Sequence, residues 1–503
     1  MYEYNYLLQH LRKASINHEQ DIFAESKDTP SMSYGDLFSG AEIIAARLQA
    51  MGLQPGDRVA VQVDKSLTVI QLYLGVILAG GVYLPLNTDY TANEVGYFLG
   101  NATPVIFICD PAKYDSFTTI ATKAGVSNIL TLDSQGNGSL TDAPQVSANK
   151  LVVVPRGKDD LAAILYTSGT TGLSKGAMLR HEALTSNALV LADYWQFSRQ
   201  DVLIHALPIF HTHGLFVATN IALVAGCRLI FMSRFSPDAI IEAIPKATSL
   251  MGVPTFYTRL LTHPDLNEDL TSNIRLFISG SAPMLTETHQ QWQQKTGHTI
   301  LERYGMTETS MNTSNPYDGE RRIGTVGLPL PGVELRITND LNSEIEEGEI
   351  GNIEVRGPNV FSGYWQMPEK THQELREDGW FITGDLGIVD SDGYLSIVGR
   401  SKDLIISGGY NIYPKEIESL IDRIEGVLES AVIGIADDDF GEKVIAVIVP
   451  EPGQSISAES ILDTLSSLIA KFKLPRHIHF VEALPRNAMG KVQKNQLRET
   501  YSV

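Results

Sequence analysis

A chain of 503 residues with a formal net charge of −20 exceeds one ordinary hydrophobic core, so two or three domains are expected. The acidic balance argues against nucleic acid polymers and anionic membranes as partners, and leaves small anionic ligands open, because a local cationic pocket fits within an acidic protein. The two cysteines, Cys109 and Cys227, sit in apolar runs and read as buried thiols; without a Cys-x-x-Cys there is no zinc or disulfide framework.

In chain order, Leu7–Ala14 and Tyr34–Met51 have helical spacing, and Arg58–Val63 reads as a strand after the turn Pro55-Gly56-Asp57. The uncharged stretch Val69–Leu86 is interrupted by Gly80-Gly81, which makes it a buried helix feeding a buried strand rather than a membrane span. The start of the chain shows no basic-then-apolar secretory pattern, and the protein is read as cytoplasmic. A helix near Ala92–Gly100 and a strand at Val105–Cys109 continue the alternation, which implies parallel sheets covered on both faces.

The central stretch is Ile164–Gly176, Ile-Leu-Tyr-Thr-Ser-Gly-Thr-Thr-Gly-Leu-Ser-Lys-Gly. An apolar run ends at Tyr166, a loop of glycine and hydroxyl residues follows, and a helix is expected over His181–Tyr194. Glycine lets the backbone approach a ligand, and free N–H and hydroxyl groups suit phosphate oxygens. The Walker pattern fails, because Lys175 is flanked by Ser174 and Gly176. Gly172-Leu-Ser-Lys-Gly176 matches a hydrolase nucleophile elbow in letters, yet Ser174 lies too far beyond the strand.

Further strands are expected at Val202–Ala206, Arg228–Phe231, Thr248–Met251 and Arg275–Ile278. Polar clusters follow strands at His211-Thr-His213, Ser279-Gly-Ser281 and Tyr304-Gly-Met-Thr-Glu308, the last after Thr299–Leu301. Ligands in such sheets bind at the carboxyl ends of strands. From Val333 the pattern turns to short strands and tight turns. A charged interruption at Gly399–Asp403 precedes a small α+β unit, which sets a boundary near Arg400.

Five motifs in this order carry a resemblance: Tyr166–Gly176, Tyr304–Glu308, Thr383-Gly-Asp385, Gly399–Asp403 and Pro485-Arg-Asn-Ala-Met-Gly-Lys491. Together they resemble the adenylate-forming superfamily over nearly the whole chain. The resemblance implies an α/β protein: residues 1–399 as a large domain of doubly covered, mostly parallel sheets plus a small β subdomain, 400–402 as a hinge, and 403–503 as a small mobile α+β lid. It implies that a carboxylate attacks the α-phosphate of ATP, releasing pyrophosphate, and that CoA then displaces AMP.

On that resemblance Thr167, Ser168, Gly169, Thr170, Thr171 and Gly172 hold the β- and γ-phosphates, and Lys175 either assists or is a solvated loop lysine. Tyr304, with Gly305, stacks on adenine, Thr307 touches the α-phosphate, and Glu308 holds Mg²⁺. Asp385 and Arg400 take the ribose. Lys491 bridges the two anions of the first half reaction, Lys402 is the hinge, and Gly408 and Gly409 line the pantetheine path. Arg303, where many relatives carry a small residue, implies a second substrate carboxylate. Arg303, with His205–Leu215, Met251–Tyr257, Phe277–Pro283 and Asn312–Asp318, resembles the malonyl-CoA synthetase branch and implies an acyl site of His211, Ser281 and Arg303, with His213 as an equally placed competitor to His211. An Arg303 paired with Glu302 at the surface would instead fit a short-chain or aryl monocarboxylate ligase.

Overall fold

The computed structural model describes residues 2–27, 29–142, 151–167, 174–407, 410–437, 440–454, 456–487 and 490–502. Two large sheets form the first part. In the six-stranded sheet the spatial order is Asn128–Thr131, Ile106–Cys109, Arg58–Gln62, Val82–Pro85, Leu161–Thr167 and Lys175–Arg180, parallel except for the last strand. The nine-stranded sheet is parallel through Ile22–Glu25, Arg228–Phe231, Val202–His205, Ser249–Gly252, Leu276–Ser279 and Leu301–Met306, with antiparallel strands at both edges. The uncharged stretch is the helix Leu67–Leu78 followed by the strand Val82–Pro85, whose residues are all buried. No helix of the described residues is long and apolar enough to cross a membrane. Cys109 and Cys227 are buried free thiols, both pushed up by burial, Cys109 to about 12.

A four-stranded antiparallel sheet follows (Glu334–Thr338, Gly351–Arg356, Phe381–Val389, Leu395–Arg400), and the chain then enters a five-stranded sheet beginning at Ile405. In that last sheet Val427–Asp437 and Gly441–Pro450 form a long hairpin whose side chains alternate. Val432, Val444, Ala446 and Ile448 pack against one helical layer, while Ala431, Ile433, Ile445 and Val447 pack against the other. A period of two produces that division, so this sheet has its own two-sided core.

Two expectations need correction. The glycine-rich loop does not run directly into a helix. It joins two antiparallel strands, with Thr167 opposite Lys175, and the helix His181–Tyr194 begins only after the second strand. The run Leu-Glu-Arg-Tyr-Gly-Met is not a strand end followed by a loop, because one strand spans Leu301–Met306 and folds back on Ser310–Ser314. Gly305 permits that tight return: a Cβ there would lie 1.9 Å from the Ser310 carbonyl oxygen.

Candidate active site

Candidate residues lie at or just beyond the carboxyl ends of the strands Leu161–Thr167, Val202–His205, Leu276–Ser279 and Leu301–Met306. Ser168, Gly169, Thr170, Thr171 and Gly172 lie outside the described residues, as do Gly408 and Gly409. Thr167 Oγ1 lies 3.5 Å from Glu308 Oε1. Lys175 is 8% exposed, ion-paired with Glu374 at 3.1 Å and seated 4.1 Å from the Tyr364 ring centroid, so it is not a solvated loop lysine. The Tyr364 hydroxyl lies between two carboxylates, 2.5 Å from Glu374 Oε2 and 3.0 Å from Glu308 Oε1. Burial raises the Glu308 carboxyl above its usual range. A buried hard-oxygen donor held by hydroxyls suits Mg²⁺, which takes one or two carboxylates and completes its shell with phosphate oxygens and water. Thr307 is half-buried in the turn beside Glu308.

The nucleoside end is built by strand register. Asp385 and Arg400 are direct cross-strand partners, which brings Arg400 Nε to 2.6 Å from Asp385 Oδ1. The other carboxylate oxygen accepts from the Tyr304 hydroxyl at 2.5 Å. The Asp385 N–H in turn donates to Thr383 Oγ1 at 3.1 Å. Tyr304 is half-buried between this pair and the cleft.

Alternation along the strand Leu301–Met306 separates Glu302 from Arg303. Glu302 pairs with His289 at 2.8 Å, so it is not the partner of Arg303. Arg303 is 3% exposed, and its Nε and Nη2 have no hydrogen-bond partner. Its guanidinium lies flat on Gly280, where a Cβ would come within 2.5 Å of Cζ. Burial pushes the group down to about 9, far below an ordinary arginine.

His213 opens a π-helix, His213–Thr219, a rare form that recurs at functional sites. Its Nδ1 lies 3.3 Å from Ser281 Oγ, and its buried Nε2 is unpartnered. Ser281 itself takes a left-handed backbone, φ 73°. His213 is thus the histidine that meets Ser281, while His211 is half-buried and faces the charges of Lys491 and Arg303. Burial and those cations push His211 down to about 3, and burial followed by Arg303 holds His213 well below the usual imidazole range.

Lys491 comes from the other end of the chain. A tight turn holds it: its N–H donates to Asn487 Oδ1 at 3.0 Å, and Gly490 has φ 74°. That turn lies against the first part of the molecule, since a Cβ on Gly490 would meet Thr255 at 3.5 Å. Lys491 is exposed as a residue, and its ammonium lies in the field of Arg400, Asp385, Glu308 and Arg303. Enclosure and then Arg400 push it down to about 8, while Asp385 and Glu308 oppose that shift. Lys402 is exposed in a single 3₁₀ turn, Ser401–Asp403, between the two last sheets.

Sequence reasoning missed Tyr364 and Glu374, because Glu308 and Lys175, which they meet, lie far along the chain and no local pattern marks the contacts.

The AMP-binding enzyme family matches residues 12–365, and its C-terminal domain matches residues 416–491. A malonate–CoA ligase of Arabidopsis thaliana is 34% identical over 95% of this chain and 86% of its own length. ATP-bound MatB from Rhodopseudomonas palustris superimposes with a TM-score of 0.95 at 55% identity, covering 99% of each chain. Apo MatB from the same organism gives 0.85 at the same identity and coverage. With family models matching residues 12–365 and 416–491, the chain belongs to the AMP-binding enzyme family.

Proposed function

We infer that the chain is an AMP-forming malonate–CoA ligase. The observation that carries this reading is Arg303, a buried guanidinium with two unpartnered N–H groups facing no carboxylate of the described residues. Leaving such a cation unpaired costs ~3–5 kcal/mol, so a substrate that supplies an anion is favoured over one that does not by roughly two to nearly four orders of magnitude. Malonate has two carboxylates separated by one carbon, so one is held at Arg303 while the other reacts at Lys491. The similarity to a malonate–CoA ligase and to MatB supports the same substrate.

In the first half reaction a malonate carboxylate oxygen attacks the α-phosphorus and pyrophosphate leaves. Lys491 lies between these two anions, orienting them and offsetting developing charge. Ser281, His213 and Arg303 hold the far carboxylate, and neutral His211 lines the path without adding charge. Tyr304 and Asp385 with Arg400 take the adenosine, Thr307 the α-phosphate, and Thr167 with residues 168–172 the departing phosphates. Mg²⁺, held at Glu308, would screen the phosphate charges. In the second half reaction the CoA sulfur attacks the acyl carbon, AMP leaves, and the thiol proton passes to solvent. Gly408 and Gly409 would leave room for the pantetheine arm.

The better superposition on ATP-bound than on apo MatB, together with Lys491 in the cleft, supports an arrangement suited to adenylation. Residues 403–503 would then swing about 400–402 for the thioester step. Dependence on ATP and CoA supports a compartment that supplies both, the cytoplasm among them. The test is ATP–pyrophosphate exchange across malonate, methylmalonate, acetate, octanoate and coumarate. Malonate should dominate, with methylmalonate within ~1–3 kcal/mol because it adds only one methyl. Preference for octanoate or coumarate would overturn the reading.

A further inference from the structure

Lys65 sits in the short connection between the strand Arg58–Gln62 and the helix Leu67–Leu78, at the carboxyl edge of the six-stranded sheet. No carboxylate among the described residues pairs with it. Its Nζ instead reaches across to the nine-stranded sheet, donating to the His205 carbonyl at 2.8 Å, meeting His205 Nδ1 at 3.1 Å, and lying 4.3 Å from the Phe231 ring centroid. A lysine placed there without a counter-charge is costly to bury.

His205 is fully buried, and its Nε2 lies 2.9 Å from the Gly214 carbonyl oxygen. A carbonyl only accepts, so Nε2 carries the proton. Burial keeps the ring neutral, and Nδ1 is therefore the lone pair that accepts from Lys65. The two contacts specify one tautomer and one ring orientation between them. Thr219 Oγ1 also donates to the Gly214 carbonyl, at 2.9 Å, and lies 3.1 Å from His205 Nε2. Gly214 and Thr219 belong to the π-helix that begins with His213. The turn has little slack, because a Cβ on Gly214 would stand 2.1 Å from the Pro208 carbonyl oxygen.

A contact at the Gly214 carbonyl therefore holds the Gly214–Leu215 peptide, one residue beyond His213, whose ring meets Ser281 and lies in the field of Arg303. We propose that Lys65 is a positioning residue for the malonate site: through His205 and the Gly214 carbonyl it fixes the π-helix that aims His213 at the substrate's far carboxylate. The inference rests on the malonate reading. It adds a residue from the edge of the other large sheet, outside the set assigned above to nucleotide and acyl group.

The test uses the full chain and ATP–pyrophosphate exchange with malonate and with propionate, which has the same carbon count and no far carboxylate. Lys65→Met should raise the KM for malonate about ten-fold, the worth of one such hydrogen bond. It should leave the KM for ATP and the kcat/KM for propionate unchanged. Lys65→Arg, which keeps a cationic donor, should recover most of the malonate KM. Thr219→Val, which removes the second donor to the Gly214 carbonyl, should shift the malonate KM in the same direction by about three-fold, and provides the readout if Lys65→Met does not fold. An unchanged malonate KM in both Lys65→Met and Thr219→Val, or a loss shared equally by malonate, propionate and ATP, overturns the proposal. A wild-type chain that does not prefer malonate over propionate overturns the malonate reading itself, independently of any variant.

Discussion

On the malonate reading Lys491 and Arg303 are two cations that meet the two ends of one small dianion, and they respond differently to change. Replacing Lys491 with alanine removes a charge that acts on the transition state, so adenylation should fall by ~3–4 kcal/mol, a few hundredfold or more, in pyrophosphate exchange. Thioester formation from synthetic malonyl adenylate and CoA should persist, and full exchange by the variant would sink the assignment. The ammonium is the working form and its pKa is pushed down to about 8 in the free protein. The kcat/KM for exchange should therefore fall as pH rises through about 8, and in kcat the limb should move higher, because bound anions favour the charged form. On the acid side His211 and His213 are already neutral, so neither supplies a limb near the usual imidazole range, and a fall there reports protonation of malonate. Arg303→Met should lower malonate kcat/KM by ~100–1,000-fold and also raise the thermal midpoint of the ligand-free protein by ~1–3 °C, since it removes an unpaired buried charge. A lower midpoint would mean that Arg303 has a structural partner after all.

At the scale of elements, the π-helix His213–Thr219 is the segment most sensitive to a single methyl group. Gly214→Ala would raise helix propensity in isolation, yet the new Cβ meets the Pro208 carbonyl at 2.1 Å and the backbone must move. We expect destabilisation of ~1–3 kcal/mol by urea unfolding, together with a raised malonate KM; a stabilised variant would contradict the packing argument. Local pattern explains what was legible here. The apolar run before Thr167 and the glycine-rich loop were readable as strand and phosphate loop. The returning strand Lys175–Arg180 was not, because its alternation is short and runs straight into a helical pattern. Arg303 was identifiable as unusual, and the period of two that turns Glu302 away from it follows once the strand is known to pass through Tyr304. Nothing local joins Lys65 to His205, or Tyr364 to Glu308. Those contacts exist because separate sheets and a distant turn meet at one cleft.

Across the whole molecule, one turn, Ser401–Asp403, separates the sheet that carries Asp385 and Arg400 from the terminal unit, the last sheet and the segment that carries Lys491. The unit carries its own two-sided core, so it can reorient without unfolding. Lys402→Pro, which fixes φ and removes an N–H in that turn, should slow conversion of malonyl adenylate to the thioester far more than pyrophosphate exchange; equal loss of both would argue against a hinge there. The Asp385–Arg400 pair gives this arrangement a further property. Asp385 already shares one oxygen with Arg400 and the other with Tyr304, so a ribose that takes Asp385 must draw on bonds the protein makes to itself. Arg400 stands at the end of its strand, immediately before the turn that contains Lys402. If a nucleotide ribose takes Asp385 and the terminal unit turns about Ser401–Asp403, then nucleotide occupancy and that orientation are thermodynamically linked through one carboxylate. By reciprocity, whatever factor the nucleotide applies to that orientation equilibrium, the orientation returns to nucleotide affinity.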